Sequence, residues 1–329
     1  MSHQAGRPLG VPKILPAPVG RTSAAILTSL FFLATATAAG AATNVGGIVS
    51  SSTTWTAAGS PYFLTAKVQV APGATLAIAP GVEVQGNGLG LEIYGALNAS
   101  GTADAPVIFR ETHIRPGANT SSQPFTIAIS HASISGGSLY APTGNAVYGS
   151  LVLTNSVVEN VGMIYLWYPV ADCVIDRNIL SGVSLSIGHY GPSVYVRNNV
   201  LQNSTIENWA SYAGNTVVQL NTFADVGSVV VSLPSGYTSA AMNAQYNYWG
   251  TTDPNVIQSM IFDRNDDLGC AGVIPFVPFL SEPDPNTPTD PYSGTSYLQD
   301  IEVDIFSQTQ ANCASPSPYL SAFTSAGIR

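Results

Sequence analysis

The sequence predicts an all-β protein: a parallel β-solenoid with three short strands to a coil, about ten coils, and a short helix closing its C-terminal end. Three observations predict it. Short segments with apolar residues two apart recur every eight or nine residues between Gly- and Pro-containing turns. In the middle of the chain whole columns of residue character recur every 21–26 residues. Charged residues make up 9% of the chain, beside 31 glycines and 23 prolines in 329 residues. That composition is too turn-rich for a helical protein and too apolar for a disordered one.

Residues 1–42 read as a signal peptide. Arg7, Lys13 and Arg21 precede the apolar run Ala24–Ala42, and small residues near Ala39 and Ala41 suit a cleavage site. The mature chain is then expected to start near Thr43; the alternative is an uncleaved membrane anchor. No later segment reads as a membrane-crossing helix, so no transmembrane domain is expected after cleavage. From Thr43 onward, seven basic residues face nineteen acidic ones, a net charge of −12. That balance argues against nucleic acid and against an anionic membrane surface.

The β-helix domain is expected over 43–280. Aromatics in Thr53–Leu64 suit an N-terminal cap. Strands follow around Val68–Val70, Leu76–Ile78, Val82–Val84 and Leu91–Ile93. Six later segments align on Ala132, Ser156, Asn178, Asn199, Asn221 and Asn247, spaced 24, 22, 21, 22 and 26 residues apart. Three positions before each anchor stand Ile129, Leu153, Ile175, Val196, Val218 and Ala244, all apolar. Two positions after stand Ile134, Val158, Leu180, Leu201, Phe223 and Trp249, also apolar. Between them lies a polar column. The anchors are placed at the bend, where Asn tolerates left-handed backbone and bonds local amides. Asn178, Asn199, Asn221 and Asn247 are expected to stack as a structural amide ladder.

After Gly250, Asp253 reads as a helix cap and Pro254 as its first residue. Val256, Ile257, Met260 and Ile261 make one apolar face. Residues 281–296 form a Pro-rich linker and 297–329 a C-terminal tail with one plausible strand, Asp300–Phe306. Of the three cysteines, Cys173 falls in the inward column of Ile127, Leu151 and Val194 and is expected to be a buried, unreactive thiol. Cys270 and Cys313 flank the linker and are the candidates for a disulfide that staples the tail; the odd count leaves one thiol free or paired between chains.

The opening Ser60–Val84, the run of Asn-x-apolar coils and the ending from Asn247 to Leu280 together resemble secreted bacterial right-handed parallel β-helix repeat proteins, the group with a pectate-lyase-like fold. The resemblance implies a right-handed coil and a secreted, extracellular or cell-envelope location. That group includes lyases, hydrolases and adhesins, so the fold does not name an activity.

Thr154, Asp176, Tyr195, Arg197, Gln219, Asn243 and Gln245 lie in outward columns and are the candidate ligand-binding strip; the alternative is an ordinary solvated sheet face. Asp176 and Arg197 are also expected as a simple surface ion pair. Arg197, His189 and Asp176 are the candidate catalytic residues for a polysaccharide lyase, which needs a cation for the substrate carboxylate and a base for the ring proton. His113, His131 and His189 are dispersed and give no metal triad. Asp263, Asn265 and Asp267 alternate as the start of a calcium loop does, with Gly269 one position late; structural calcium and a solvated acidic turn are the two readings. No other cofactor is implied. The expectation is a secreted extracellular protein that binds extracellular polysaccharide or cell-surface glycan without catalysis, or serves a surface structural or adhesive role. The alternative is a polysaccharide lyase or glycoside hydrolase acting on a long polymer.

Overall fold

The computed structural model describes residues 42–118, 122–141, 148–188, 192–211 and 216–289, all within the unit that begins at Gly40. The expected leader up to residue 41, the linker from residue 290, the tail 297–329, Cys313 and His189 lie outside the described residues.

Every strand pair is parallel, and partners come from successive turns of one coil. The result is the expected parallel β-solenoid, of about eight turns rather than ten. One face is an eight-stranded sheet, from Thr53–Trp55 through Cys173–Asp176 and Val194–Arg197 to Thr216–Gln219. The second and third faces share a fifteen-stranded sheet, because Tyr62–Val70, Val157–Trp167 and Ile179–Gly188 run unbroken around the corner between them. The count falls short of ten because the chain between 224 and 280 is spent largely on loops, one helix and a closing segment.

Alternation builds the core. Ile129, Leu153, Ile175, Val196, Val218 and Ala244 are all buried, as are Ile134, Val158, Leu180, Leu201, Phe223 and Trp249. Neighbouring turns offer an apolar side chain at the same position, so one continuous apolar core runs through the coil.

The bends correct one expectation. The left-handed residues are His131, Asn155, Arg177, Asn198, Leu220 and Tyr246, each one position before the anchor. The anchors themselves point inward and are fully or nearly buried. Of the two roles expected of Asn there, the hydrogen bonds are made, while the left-handed backbone falls one residue earlier. Asn178 Nδ2 donates to Asn199 Oδ1, Asn199 Nδ2 to Asn221 Oδ1 and Asn221 Nδ2 to Asn247 Oδ1, each at 3.0 Å. Each Oδ1 also accepts the backbone N–H of the anchor one turn earlier, at 2.9–3.0 Å. The ladder continues toward the N-terminus through Ser156, whose N–H donates to Asn178 Oδ1 and whose Oγ accepts from Ala132 N.

At the C-terminal end, Asp253 caps the helix Pro254–Ser259 by accepting from Asn255 N at 2.9 Å. The helix buries Ile257 and leads through Met260 into the last strand, Ile261–Phe262. An extended segment then crosses the final turn: Ala244, Tyr246 and Leu280 N–H groups bond Pro275, Pro278 and Asn247 carbonyls. Pro275 and Pro278 have no N–H, so this outer edge offers an incomplete ladder to any further strand. The linker does not leave the body at once. Asp284 accepts from Asn198 Nδ2 at 2.8 Å, and Thr287 Oγ1 donates to Leu220 O at 2.9 Å.

Candidate functional site

The outward strip of the eight-stranded sheet forms in the expected register. Thr154 pairs with Asp176, Asp176 with Arg197, and Arg197 with Gln219; Tyr195 pairs with Val217, and Val217 with Asn243. Its polar groups are largely bound to one another. The Asp176 side chain is only 7% exposed and holds Arg177 at 3.1 Å and Arg197 at 3.5 Å. The Arg197 guanidinium also lies 5.5 Å from the centre of the Tyr195 ring. Asn243 and Gln245 bond each other, and Gln245 Nε2 donates to Val277 O in the closing segment. Arg197 and Asp176 thus form the ion pair expected of a surface column, and His189, the third catalytic candidate, is outside the described residues.

The acidic turn is organised from within. Asp263 is fully buried; its Oδ1 accepts from Asn265 N and its Oδ2 from Ile274 N, both at 2.8 Å. Asp267 accepts from Gly269 N through Oδ1 and from Ser235 Oγ through Oδ2. Asn265 is exposed. Among the described residues no three His, Cys, Asp or Glu side chains stand close enough together to hold a metal ion.

Cys173 is buried in its apolar column, paired with Val194, and its sulfur accepts from Leu151 N at 3.4 Å. Burial pushes the thiol up to about 11. Cys270 is also buried, its thiol against Leu233 O at 3.5 Å. Its expected partner Cys313 is not among the described residues.

The outer side of the third face carries what the sequence reading missed. Tyr165 and Trp167 alternate with buried Ile164 and Leu166, so both rings stand outside, stacked at 4.9 Å and 8°. Trp167 meets Tyr168 at 6.2 Å and Trp209 at 5.9 Å; Tyr168 meets Tyr148 at 5.9 Å, and Trp209 meets Tyr237 at 5.6 Å. All are partly exposed. Gly188 pairs with Trp167 one turn on, and a side chain there would strike the indole. Its absence lets the ring lean onto the sheet. The two indole N–H groups are tied down: Trp167 Nε1 to Ser186 Oγ at 3.1 Å and Trp209 Nε1 to Glu207 Oε2 at 2.8 Å. The signal was present in the alternation of Ile164–Trp167, where Ile164 and Leu166 claim the inward parity and leave the aromatics out.

The N-terminal part of the same face is charged. Glu92 holds Lys67 at 2.8 Å and accepts from Gln69 at 2.6 Å. Burial alone would raise the Glu92 carboxyl, but the Lys67 and Gln69 bonds and the Lys67 charge outweigh it and bring it below the ordinary range. Arg115, next to Glu92 in register, turns instead to Ser138 Oγ at 3.2 Å, which His113 Nδ1 also meets at 3.0 Å. Burial and then the Arg115 charge lower the His113 imidazole, favouring its neutral form. The Tyr94 ring lies against Gly117, as Trp167 lies against Gly188.

Comparison with protein-family models, with curated proteins and with solved structures found no match to this chain. Among the described residues no helix is long and apolar enough to cross a membrane.

Proposed function

We propose that this chain is a secreted, extracellular rod of the right-handed, pectate-lyase-like kind that binds polysaccharide without cleaving it. One observation carries the reading: the partly exposed aromatic ridge from Tyr165 and Trp167 to Trp209 and Tyr237. Sugar rings have apolar C–H faces that stack on aromatic surfaces, and a ridge spread over several turns suits a chain of them better than a single small molecule. The leader-like residues 1–42 and the acidic balance support export and a partner other than nucleic acid. The self-bound strip around Asp176 and Arg197 gives the eight-stranded sheet a smaller part than its sequence suggested.

The test is a panel of acidic and neutral polysaccharides presented to the purified protein, with and without calcium. Retention, unsaturated products by ultraviolet absorbance and new reducing ends are followed together. Retention without products is expected, and Trp167→Ala should weaken it at least tenfold while leaving the thermal midpoint within a few degrees.

The second reading, a polysaccharide lyase or hydrolase, is favoured by one observation only. Arg115, His113 and Tyr94 bring a cation with no carboxylate ion pair among the described residues, an imidazole whose neutral form is favoured and a phenol to one end of the same face. Products that vanish with Arg115→Ala would establish it in place of the first.

A further inference from the structure

We infer that the ridge takes an uncharged glycan lying along the rod axis, and that Glu207 is the group that binds its hydroxyls. This rests on the polysaccharide-binding reading and adds to it a ligand class, a direction and a residue.

The direction follows from the register. Tyr165 pairs with Ser186, and Ser186 with Glu207, on three successive turns. Trp167 pairs with Gly188, and Trp209 follows Asn208, the partner of Ile187. The face is thus two parallel columns, Trp167–Gly188–Trp209 and Tyr165–Ser186–Glu207, each advancing about 4.8 Å per turn, with the two indoles meeting over Gly188 at 5.9 Å. A chain laid along the axis meets the Trp167 and Trp209 rings and, at the second of them, the Glu207 carboxylate. A chain laid across the axis meets either the Tyr165, Trp167 and Tyr168 rings or Glu207 with Trp209, but not both.

The ligand class follows from charge. Glu207 is the one carboxylate in the column Tyr165–Ser186–Glu207, and the bond from Trp209 Nε1 fixes it beside the ring. A carboxylate is an acceptor only, with capacity for several donors, so it suits the hydroxyls of a neutral sugar. Of the six described cations, none stands on these three turns of the third face: Arg177 and Arg197 are bound to Asp176, Arg110 to Glu83 and Lys67 to Glu92, while Arg115 and Arg264 lie elsewhere. A polyuronate laid here would bring its carboxylates against Glu207 with no cation among the described residues of these turns to offset them.

The experiment is affinity electrophoresis of the full chain through gels containing a neutral β-glucan or polygalacturonate, for the native protein and for Glu207→Gln. Glutamine keeps an acceptor for Trp209 Nε1, so the ridge stays in place. Retardation by the neutral glucan is expected, unchanged at high salt and weakened about tenfold by Glu207→Gln, the order of one charge-assisted hydrogen bond. Stronger retardation by polygalacturonate, or tighter binding after Glu207→Gln, would overturn the inference and leave polysaccharide binding standing. Retardation by neither polymer would remove the binding reading, and this inference with it.

Discussion

The side-chain carbonyl of Asn199 accepts two hydrogen bonds from Asn178, one from its backbone N–H at 2.9 Å and one from its Nδ2 at 3.0 Å. At the same time Asn199 Nδ2 donates to Ile175 O and Arg197 O, both at 2.9 Å. One amide thus serves backbone groups that the inward turn of the chain would otherwise strand away from water. Asn199→Ala removes all of these partners together. A loss of about 2–4 kcal/mol is expected, since each stranded buried group costs about 1–3 kcal/mol. Asn199→Asp should not restore it, because a carboxylate cannot donate and would face Asn221 Oδ1. Denaturant midpoints at unchanged slope measure this; a shift smaller than about 0.5 kcal/mol for Asn199→Ala would remove the ladder from the account of stability.

Gly188→Ala tests the ridge from beneath. The added methyl meets the Trp167 indole, while the glycine backbone itself needs no left-handed angle. The ring must therefore lift, breaking its bond to Ser186 Oγ and its 4.9 Å stack on Tyr165. A changed tryptophan emission maximum and weakened glycan retention are expected, with a modest loss of stability of about 1–3 kcal/mol. Unchanged emission would mean that the ring does not lean on Gly188.

Cys173 gives a pH prediction. Its thiol has an ordinary value of 9.0 and stands at about 11 in the fold, raised by burial. Below 9 both folded and unfolded chains hold the proton and the fold is undisturbed. As the pH climbs toward 11 the unfolded chain loses that proton more readily, so stability falls by about 2–3 kcal/mol across that window. The buried Tyr140 phenol, also raised by burial, pulls the same way. In Cys173→Val, which matches the neighbouring Val194, the decline between pH 9 and 11 should shrink. A decline of equal size in the variant would place its origin elsewhere.

The solenoid was legible because its inward columns obey one rule at every turn: Ile175, Val196 and Val218 have no option but the core. The outward side obeys no such rule. Tyr165 and Trp167 look in sequence like further core aromatics, and only the parity set by Ile164 and Leu166 turns them out. The left-handed positions were misplaced by one residue because Leu220 and Tyr246 give no local sign of that conformation; the stacked turns impose it on them. The count of about eight turns was unreadable for a related reason. Loops such as 233–242 leave the coil and return without changing the strand columns on either side.

Asp263 is the hinge between the last strand and the closing segment. Its Oδ2 accepts from Ile274 N, eleven residues on, and its Oδ1 from Asn265 N, so one buried carboxylate closes the loop that delivers Ile274–Leu280 across the final turn. Asp263→Ala strands both N–H groups. Asp263→Asn keeps one acceptor and presents an amide donor where the other stood, so it relieves at most half of the loss. Expected costs are about 2–4 kcal/mol for alanine and less for asparagine. Hydrogen exchange should locate the damage, with faster exchange at Ala244, Tyr246 and Leu280, whose N–H groups bond across the closing segment. Exchange at Asn199 and Asn221, deeper in the ladder, should stay slow. Protection lost equally along the whole rod would mean that this end is not a separate closure but part of one cooperative unit with the rest of the coil.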